Sequence, residues 1–207
     1  MDGYQRTKGL AEQAVLAANG PELATTVLRP SHITGAGDVA LLQGLTARGP
    51  RAGVRISSVF ARGPPRHSVI SKTNCAHAHV VAAQALHPAS PLAGRPFIVT
   101  DGDDTIVCTD YVLDMARARG WRGRVVWVPL ELVMAVAWLC DLVVLVLYHL
   151  GLVRPQFLLL SRLAILSTGT DVVATDRTFA ELTGYEPIQT LAESMEETRA
   201  WAVKHPF

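Results

Sequence analysis

The chain has 207 residues, 49% of them hydrophobic and 18% charged, which is enough apolar material for one domain with a core and too much for a disordered chain. Its 19 basic and 18 acidic residues nearly cancel, so there is no electrostatic case for nucleic acid as a partner.

The first ten residues hold no apolar stretch that could act as a signal peptide. From Tyr4 to Ala18, apolar residues recur at helical spacing (Leu10, Ala11, Ala14, Val15, Ala18), and Asn19-Gly20-Pro21 stops the helix. Thr25 to Leu28 reads as a short buried strand ended by Arg29-Pro30, and Gly35 to Asp38 reads as a turn with a helix from Val39 to Ala47 behind it. Val54 to Phe60 alternates like a strand, and Arg62-Gly63-Pro64-Pro65 breaks it. An Ala-rich helix is expected over Asn74 to Leu86, and a strand over Pro96 to Thr100 closed by Asp101-Gly102. Strands alternating with helices define an α/β layer structure. From Val125 to Val153 the composition becomes almost wholly apolar, interrupted only by Glu131, Asp141 and His149. A second apolar patch covers Phe157 to Leu166, and a last amphipathic helix runs from about Leu191 to Val203. Cys75, Cys108 and Cys140 lie far apart with no CxxC pair. They outline no disulfide framework, and a reducing compartment is expected.

The chemistry begins at Tyr4-Gln5-Arg6-Thr7-Lys8, which puts a phenol and an ammonium on one helical face, one turn apart. On spacing alone this is a weak motif, and an exposed helix with a solvated lysine explains it too. The chemical reading is narrower. A free phenol has a pKa of about 10, too high for a general base at neutral pH. A neighbouring ammonium and an oxidised nicotinamide stabilise the phenolate, which then accepts the proton of a secondary alcohol as hydride departs.

Several further segments accompany the pair: Thr26-Val27-Leu28-Arg29-Pro30 with Ile33 and Gly35, Asn74-Cys75-Ala76-His77-Ala78-His79, Gly94-Arg95-Pro96-Phe97-Ile98-Val99-Thr100-Asp101-Gly102, and Leu182-Thr183-Gly184-Tyr185-Glu186-Pro187. Together, from Tyr4 to about Trp201, they resemble the 3β-hydroxysteroid dehydrogenase/isomerase branch of the extended short-chain dehydrogenases, which includes sterol-4α-carboxylate 3-dehydrogenases. The resemblance implies a Rossmann-like α/β fold and oxidation of a 3β-hydroxyl on a sterol or steroid with NAD(P)⁺ as cofactor. It implies Tyr4 as proton acceptor or donor, Lys8 as the residue that lowers its pKa and holds the cofactor, and Pro30, Ser31 and Ile33 as neighbours of the nicotinamide. A Pro-terminated strand and its turn account for those last three equally well. Expected partners are the sterol substrate, a membrane or lipid-droplet surface and a second copy of the chain. The expected location is the cytosolic face of the endoplasmic reticulum or a lipid droplet, with the cytoplasm as the alternative.

The chain departs from the family in two places. Family members have a strand, a Gly-rich turn, a helix and a catalytic Ser before the Tyr, whereas three residues precede Tyr4 here. On that pattern, residues 1–124 form the later part of the Rossmann-like domain, from the catalytic helix onward, and 125–207 an apolar helical, membrane-associated segment and substrate lobe. The 207-residue polypeptide alone is expected to be poorly soluble and inactive. The other departure is Ser71-Lys72-Thr73, where the family carries an aspartate or aromatic residues. A non-catalytic, membrane-associated scaffold of the same fold is the competing reading.

Two other motifs invite functional readings that their chemistry does not support. Gly35-Ala36-Gly37-Asp38-Val39-Ala40 has the form of a dinucleotide fingerprint, but Asp38 would place a carboxylate where a pyrophosphate should lie. His77 and His79 are two residues apart, point in different directions from a helix and do not share a metal. The Val125–Val153 run is long enough for one membrane span, though Glu131 and Asp141 would be costly inside it. An interfacial helix, a pair of helices lining a sterol-sized pocket, or plain core are the other readings, and lipid contact is the one expected.

Overall fold

The computed structural model describes residues 3–38, 54–58, 65–120, 124–152 and 169–205. The chain opens with helix α1 (Gly3–Ala17), then strands β1 (Thr26–Pro30), β2 (His32–Thr34), β3 (Val54–Ser58) and β4 (Arg66–Ser71). Helix α2 (Lys72–Ala85), strands β5 (Arg95–Val99) and β6 (Thr105–Val107), helix α3 (Cys108–Ala118), strand β7 (Arg124–Val128) and helix α4 (Leu130–His149) follow. Helices α5 (Thr178–Thr183) and α6 (Leu191–Lys204) complete it. The expected helix over Val39–Ala47, the end of the strand at Phe60, the break at Arg62–Pro64 and the apolar patch Phe157–Leu166 lie outside the described residues.

The α/β expectation holds, with a mostly parallel ladder. β1 pairs in parallel with β5, Thr26 opposite Arg95 through Pro30 opposite Val99. β2 pairs in parallel with β4, and β3 with β7, while β6 is antiparallel to β4. The backbone N–H of Ser31 donates to the Val99 carbonyl, and that of Asp101 to the Val69 carbonyl. These bonds carry the β1–β5 pair on into the β2–β4–β6 sheet at the carboxyl ends of the strands.

β4 is the pivot of the packing. Successive side chains of a strand point to opposite faces. Val69 therefore faces Ile106, Tyr111, Val112, Met115 and Ala202, while Ile70 faces Ala78, Ala82, Phe97, Val99 and Phe179. Each large side chain that these two clusters remove from water contributes about 1.5–3 kcal/mol. Helix α2 starts sharply because the Ser71 hydroxyl accepts from the Asn74 N–H. A reciprocal capping box between Thr190 and Glu193 starts α6.

Several elements differ from the sequence expectation. β4, β6 and α3 were not anticipated, and the run from Val125 to Val153 is two elements rather than one. Its first residues form β7, and Pro129 separates that strand from α4. A proline at this point cannot donate to a ladder, but its fixed φ suits a helix start.

Candidate active site

Helix α1 is fastened to β1 at two points. The Thr25 hydroxyl donates to the Val15 carbonyl at 2.9 Å, and the Arg29 guanidinium grips the Glu12 carboxylate through two hydrogen bonds. That bond from Arg29 holds the Glu12 carboxyl below its ordinary pKa. Contacts step backward along α1 as they step forward along β1. The two elements are therefore antiparallel, and the first turns of α1 point toward the carboxyl end of β1. In open α/β sheets, sites form at the carboxyl ends of parallel strands.

Tyr4 and Lys8 lie in those first turns, and the structure brings them together: the Lys8 ammonium stands 5.8 Å from the Tyr4 ring centroid. The (i, i+4) spacing on a helix accounts for the meeting, and a cation over a ring face adds about 0.5–1 kcal/mol at an exposed site. Tyr4 is 68% exposed, so the pair stands open to solvent. The Thr7 hydroxyl donates to the Tyr4 carbonyl and anchors the turn that carries the phenol.

Pro30, Ser31 and Ile33 occupy the carboxyl end of β1 and the start of β2. The Ser31 hydroxyl is buried without a hydrogen-bonding partner, a cost of roughly 1–3 kcal/mol unless a bound group or water satisfies it. Ile33 lines a cleft of ≈ 280 Å³ together with the Gly35–Asp38 turn and Lys72. Gly35 has φ +149, and a Cβ there would meet the Lys72 side chain at 2.9 Å, so this glycine serves a tight turn under an aliphatic stem. The Lys72 ammonium reaches Glu197 at 2.6 Å and the Ala36 carbonyl at 3.4 Å. A second cleft of ≈ 520 Å³ opens beside the carboxyl end of β5, lined by Val99, Thr100, Phe179, Tyr185 and their neighbours. Of these two clefts, neither is lined by Tyr4 or Lys8.

Behind the site lies a buried polar hub that sequence reasoning missed. Asn74 is fully buried. Its Nδ2 donates to Asp101 Oδ1 and to the Gln189 carbonyl, each at 2.7 Å, and its Oδ1 accepts from the Ile188 and Gln189 N–H groups, each at 2.9 Å. The Ser71 N–H donates to the other Asp101 oxygen at 2.8 Å. Burial pushes the Asp101 carboxyl above its usual range, and the bonds from Asn74 and Ser71 oppose the shift. Burial likewise raises the Tyr185 phenol, whose hydroxyl points at the Asn74 carbonyl. The available signal was one amide on an otherwise Ala-lined helix face, Asn74, Ala78 and Ala82 at four-residue spacing. The His77 ring lies tilted against Tyr185 with centroids 5.7 Å apart, and His79 Nδ1 lies 2.7 Å from the Cys75 carbonyl, so His77 has a local packing role and His79 a local hydrogen bond. Among the described residues, no group of three or more His, Cys, Asp or Glu is placed to hold a metal ion.

The body is α/β with mostly parallel strand pairs, and the helix that carries the Tyr-x-x-x-Lys spacing runs antiparallel to β1. The family model for the 3-beta hydroxysteroid dehydrogenase/isomerase family matches residues 1–132, and the chain belongs to that family. Over 205 residues it is 31% identical to the 3beta-hydroxysteroid-dehydrogenase/decarboxylase isoform 2 of Arabidopsis thaliana, covering 95% of this chain and 35% of that protein. Against the mouse (Mus musculus) sterol-4-alpha-carboxylate 3-dehydrogenase, decarboxylating, identity is 26% over 200 residues, covering 96% of this chain and 54% of the relative. The chain thus spans between about a third and about a half of these curated relatives. Its fold is that of RMD from Pseudomonas aeruginosa complexed with NADPH, at a TM-score of 0.60 and 12% identity, covering 99% of this chain and 57% of that one.

Proposed function

We propose that the chain carries the proton-transfer part of an NAD(P)-dependent 3β-hydroxysteroid or sterol dehydrogenase. The observation that carries this reading is the Tyr4–Lys8 pair, one helical turn apart with the ammonium 5.8 Å from the phenol ring centroid, on the helix that points to the carboxyl end of β1. The orphaned Ser31 hydroxyl beside Pro30 fits a polar group arriving there. Lys8, Pro30, Ser31 and Ile33 would then hold the nicotinamide-ribose end of the cofactor. When bound, NAD(P)⁺ supplies the hydride acceptor. The chain's own contribution is the proton. As the carbinol C–H bond breaks and the C=O bond forms, the hydroxyl proton passes to the Tyr4 oxygen, and Lys8 keeps positive charge beside the phenolate. Two arguments favour a lipophilic alcohol as substrate: the relatives named for sterol chemistry, and the apolar surface of α4, which suits a protein meeting its substrate at a membrane or lipid-droplet surface.

The test is direct. Full-length protein incubated with a 3β-hydroxysterol and NAD⁺ or NADP⁺ is expected to yield one 3-ketone per reduced cofactor, by absorbance and mass spectrometry together. Ketone without reduced cofactor, or neither product from any sterol or steroid 3β-alcohol, would remove the dehydrogenase reading and leave the scaffold.

A further inference from the structure

Three side chains of α1 stand in one row, each a helical turn from the next: Tyr4, Lys8 and Glu12. During proton transfer, with Tyr4 as the phenolate, the row reads negative, positive, negative. Lys8 then has an anionic neighbour one turn toward the amino end and another one turn toward the carboxyl end. Its ammonium is a point charge on a flexible four-carbon stem and can swing to either. In the structure it stands 5.8 Å from the Tyr4 ring centroid. The lean of helical side chains toward the amino end favours that side, whereas an unengaged carboxylate at Glu12 would draw the ammonium the other way.

Glu12 is engaged elsewhere. Arg29, near the carboxyl end of β1, takes both of its oxygens: Nε donates to Oε2 at 2.9 Å, and Nη2 donates to Oε1. The planar fork of a guanidinium matches a carboxylate in this way, which a lysine cannot do. The Arg29 and Glu12 side chains are 50% and 24% exposed, and an ion pair so open to water contributes little to stability. Helix α1 is also held to β1 by the Thr25 hydroxyl on the Val15 carbonyl. The grip of Arg29 on Glu12 therefore does less for the fold than for the placing of charge. It leaves Lys8 with one anionic partner instead of two, one residue before Pro30, at the sheet end toward which the first turns of α1 point.

We infer that Arg29 is a positioning residue for the Tyr4–Lys8 pair: by holding Glu12 it keeps the Lys8 ammonium on the phenol. The inference rests on the reading of Tyr4 as the proton-transfer group. In the full-length protein, Arg29→Met is expected to lower kcat about three- to tenfold, with KM for a 3β-hydroxysterol changed by less than about twofold. In lysine-labelled protein, the nuclear Overhauser contact between the Lys8 methylenes and the Tyr4 ring is expected to weaken by about half, since the two contacts open to Lys8 are then of similar size. Glu12→Gln removes the competing charge. In the Arg29→Met/Glu12→Gln double variant, kcat and the Overhauser contact are expected to return to within about twofold of those of Glu12→Gln alone, although no ion pair then joins α1 to β1. A double variant as slow as Arg29→Met, or an undiminished contact in Arg29→Met, would overturn the inference and leave Arg29 a clamp on the helix. Should Arg29→Met not fold, Arg29→Lys decides. It keeps a positive charge on Glu12 without the two-pronged grip, so the Lys8–Tyr4 contact is expected to survive, and its loss would overturn the inference equally. If the wild type oxidises no 3β-alcohol, the dehydrogenase reading falls, while the Overhauser contact still tests the role of Arg29 by itself.

Discussion

Replacing Tyr4 with Phe in the full-length protein is expected to lower kcat about 10²- to 10⁴-fold, the usual contribution of a positioned general acid or base, with cofactor affinity changed by less than about twofold. The substitution removes one oxygen and keeps the ring. The Lys8 ammonium retains its place 5.8 Å from the centroid, and Tyr4 is 68% exposed, so little packing is disturbed. A loss confined to kcat identifies the hydroxyl as a participant in the transition state. Steady-state kinetics with a 3β-hydroxysterol, together with fluorescence titration of NADH, separates the two parameters. Unchanged turnover would take Tyr4 out of the mechanism.

Asn74→Ala is expected to cost about 3–5 kcal/mol of stability and to lower the melting temperature by about 10 °C. The amide uses every bonding position it has: two donors to Asp101 and Gln189, and two acceptances from Ile188 and Gln189. Truncation strands the buried Asp101 carboxylate oxygen and takes the partner from the part-buried Gln189 carbonyl and the Ile188 and Gln189 N–H groups, and breaking a buried charged hydrogen bond by removing one partner is among the few routes to so large an effect. Because the lost bonds hold residues 187–190 against the start of α2, amide exchange there should accelerate ahead of the rest of the fold. A loss below about 1 kcal/mol in calorimetry would show that water replaces the amide and that the hub is not structural.

The placement of the hub bears on the site. Asp101 follows β5, whose Val99 pairs with Pro30, so the bonds from Asn74 and Ser71 brace the same sheet end that receives the first turns of α1. A buried histidine on β4, His67, meets a half-buried one on the neighbouring β2, His32. His32 and His67 stand edge to face with centroids 6.4 Å apart, and burial lowers the pKa of both.

The parts of this architecture legible in the sequence are those whose signal is local. Helix α1 announced itself through Leu10, Ala14 and Val15 and stopped at Asn19-Gly20. β1 and β5 are β-branched or aromatic runs closed by Pro30 and by Asp101-Gly102. The Tyr4–Lys8 contact follows from (i, i+4) spacing alone. β4 was illegible because Arg-His-Ser-Val-Ile-Ser looks like a polar connector. It becomes a central strand only when long-range partners satisfy its polar atoms: the Ser68 hydroxyl accepts from the Ala174 N–H, and the Ser71 N–H finds Asp101. Helix α3 carried a readable stripe, Tyr111, Val112, Met115 and Ala116, all buried, but the short β6 before it obscured the boundary. In the run from Val125 to Val153, uniform hydrophobicity erased the periodicity that separates a period-2 strand from a 3.6-period helix. Pro129 was the only local mark of the change. The Asn74 hub was beyond reach for a different reason, since its partners at Asp101 and Ile188–Gln189 are 27 and 114–115 residues away.

The central claim is that Tyr4 and Lys8 act as one device, and a double-mutant cycle on turnover tests it most directly. Tyr4→Phe, Lys8→Met and the double variant are compared at saturating sterol and cofactor. If the phenol moves the proton only while the ammonium stands beside it, the double variant will be no slower than the slower single variant within about threefold, the strong non-additivity of groups that work as a unit. Losses that multiply, or either single variant turning over like the wild type, would contradict the account.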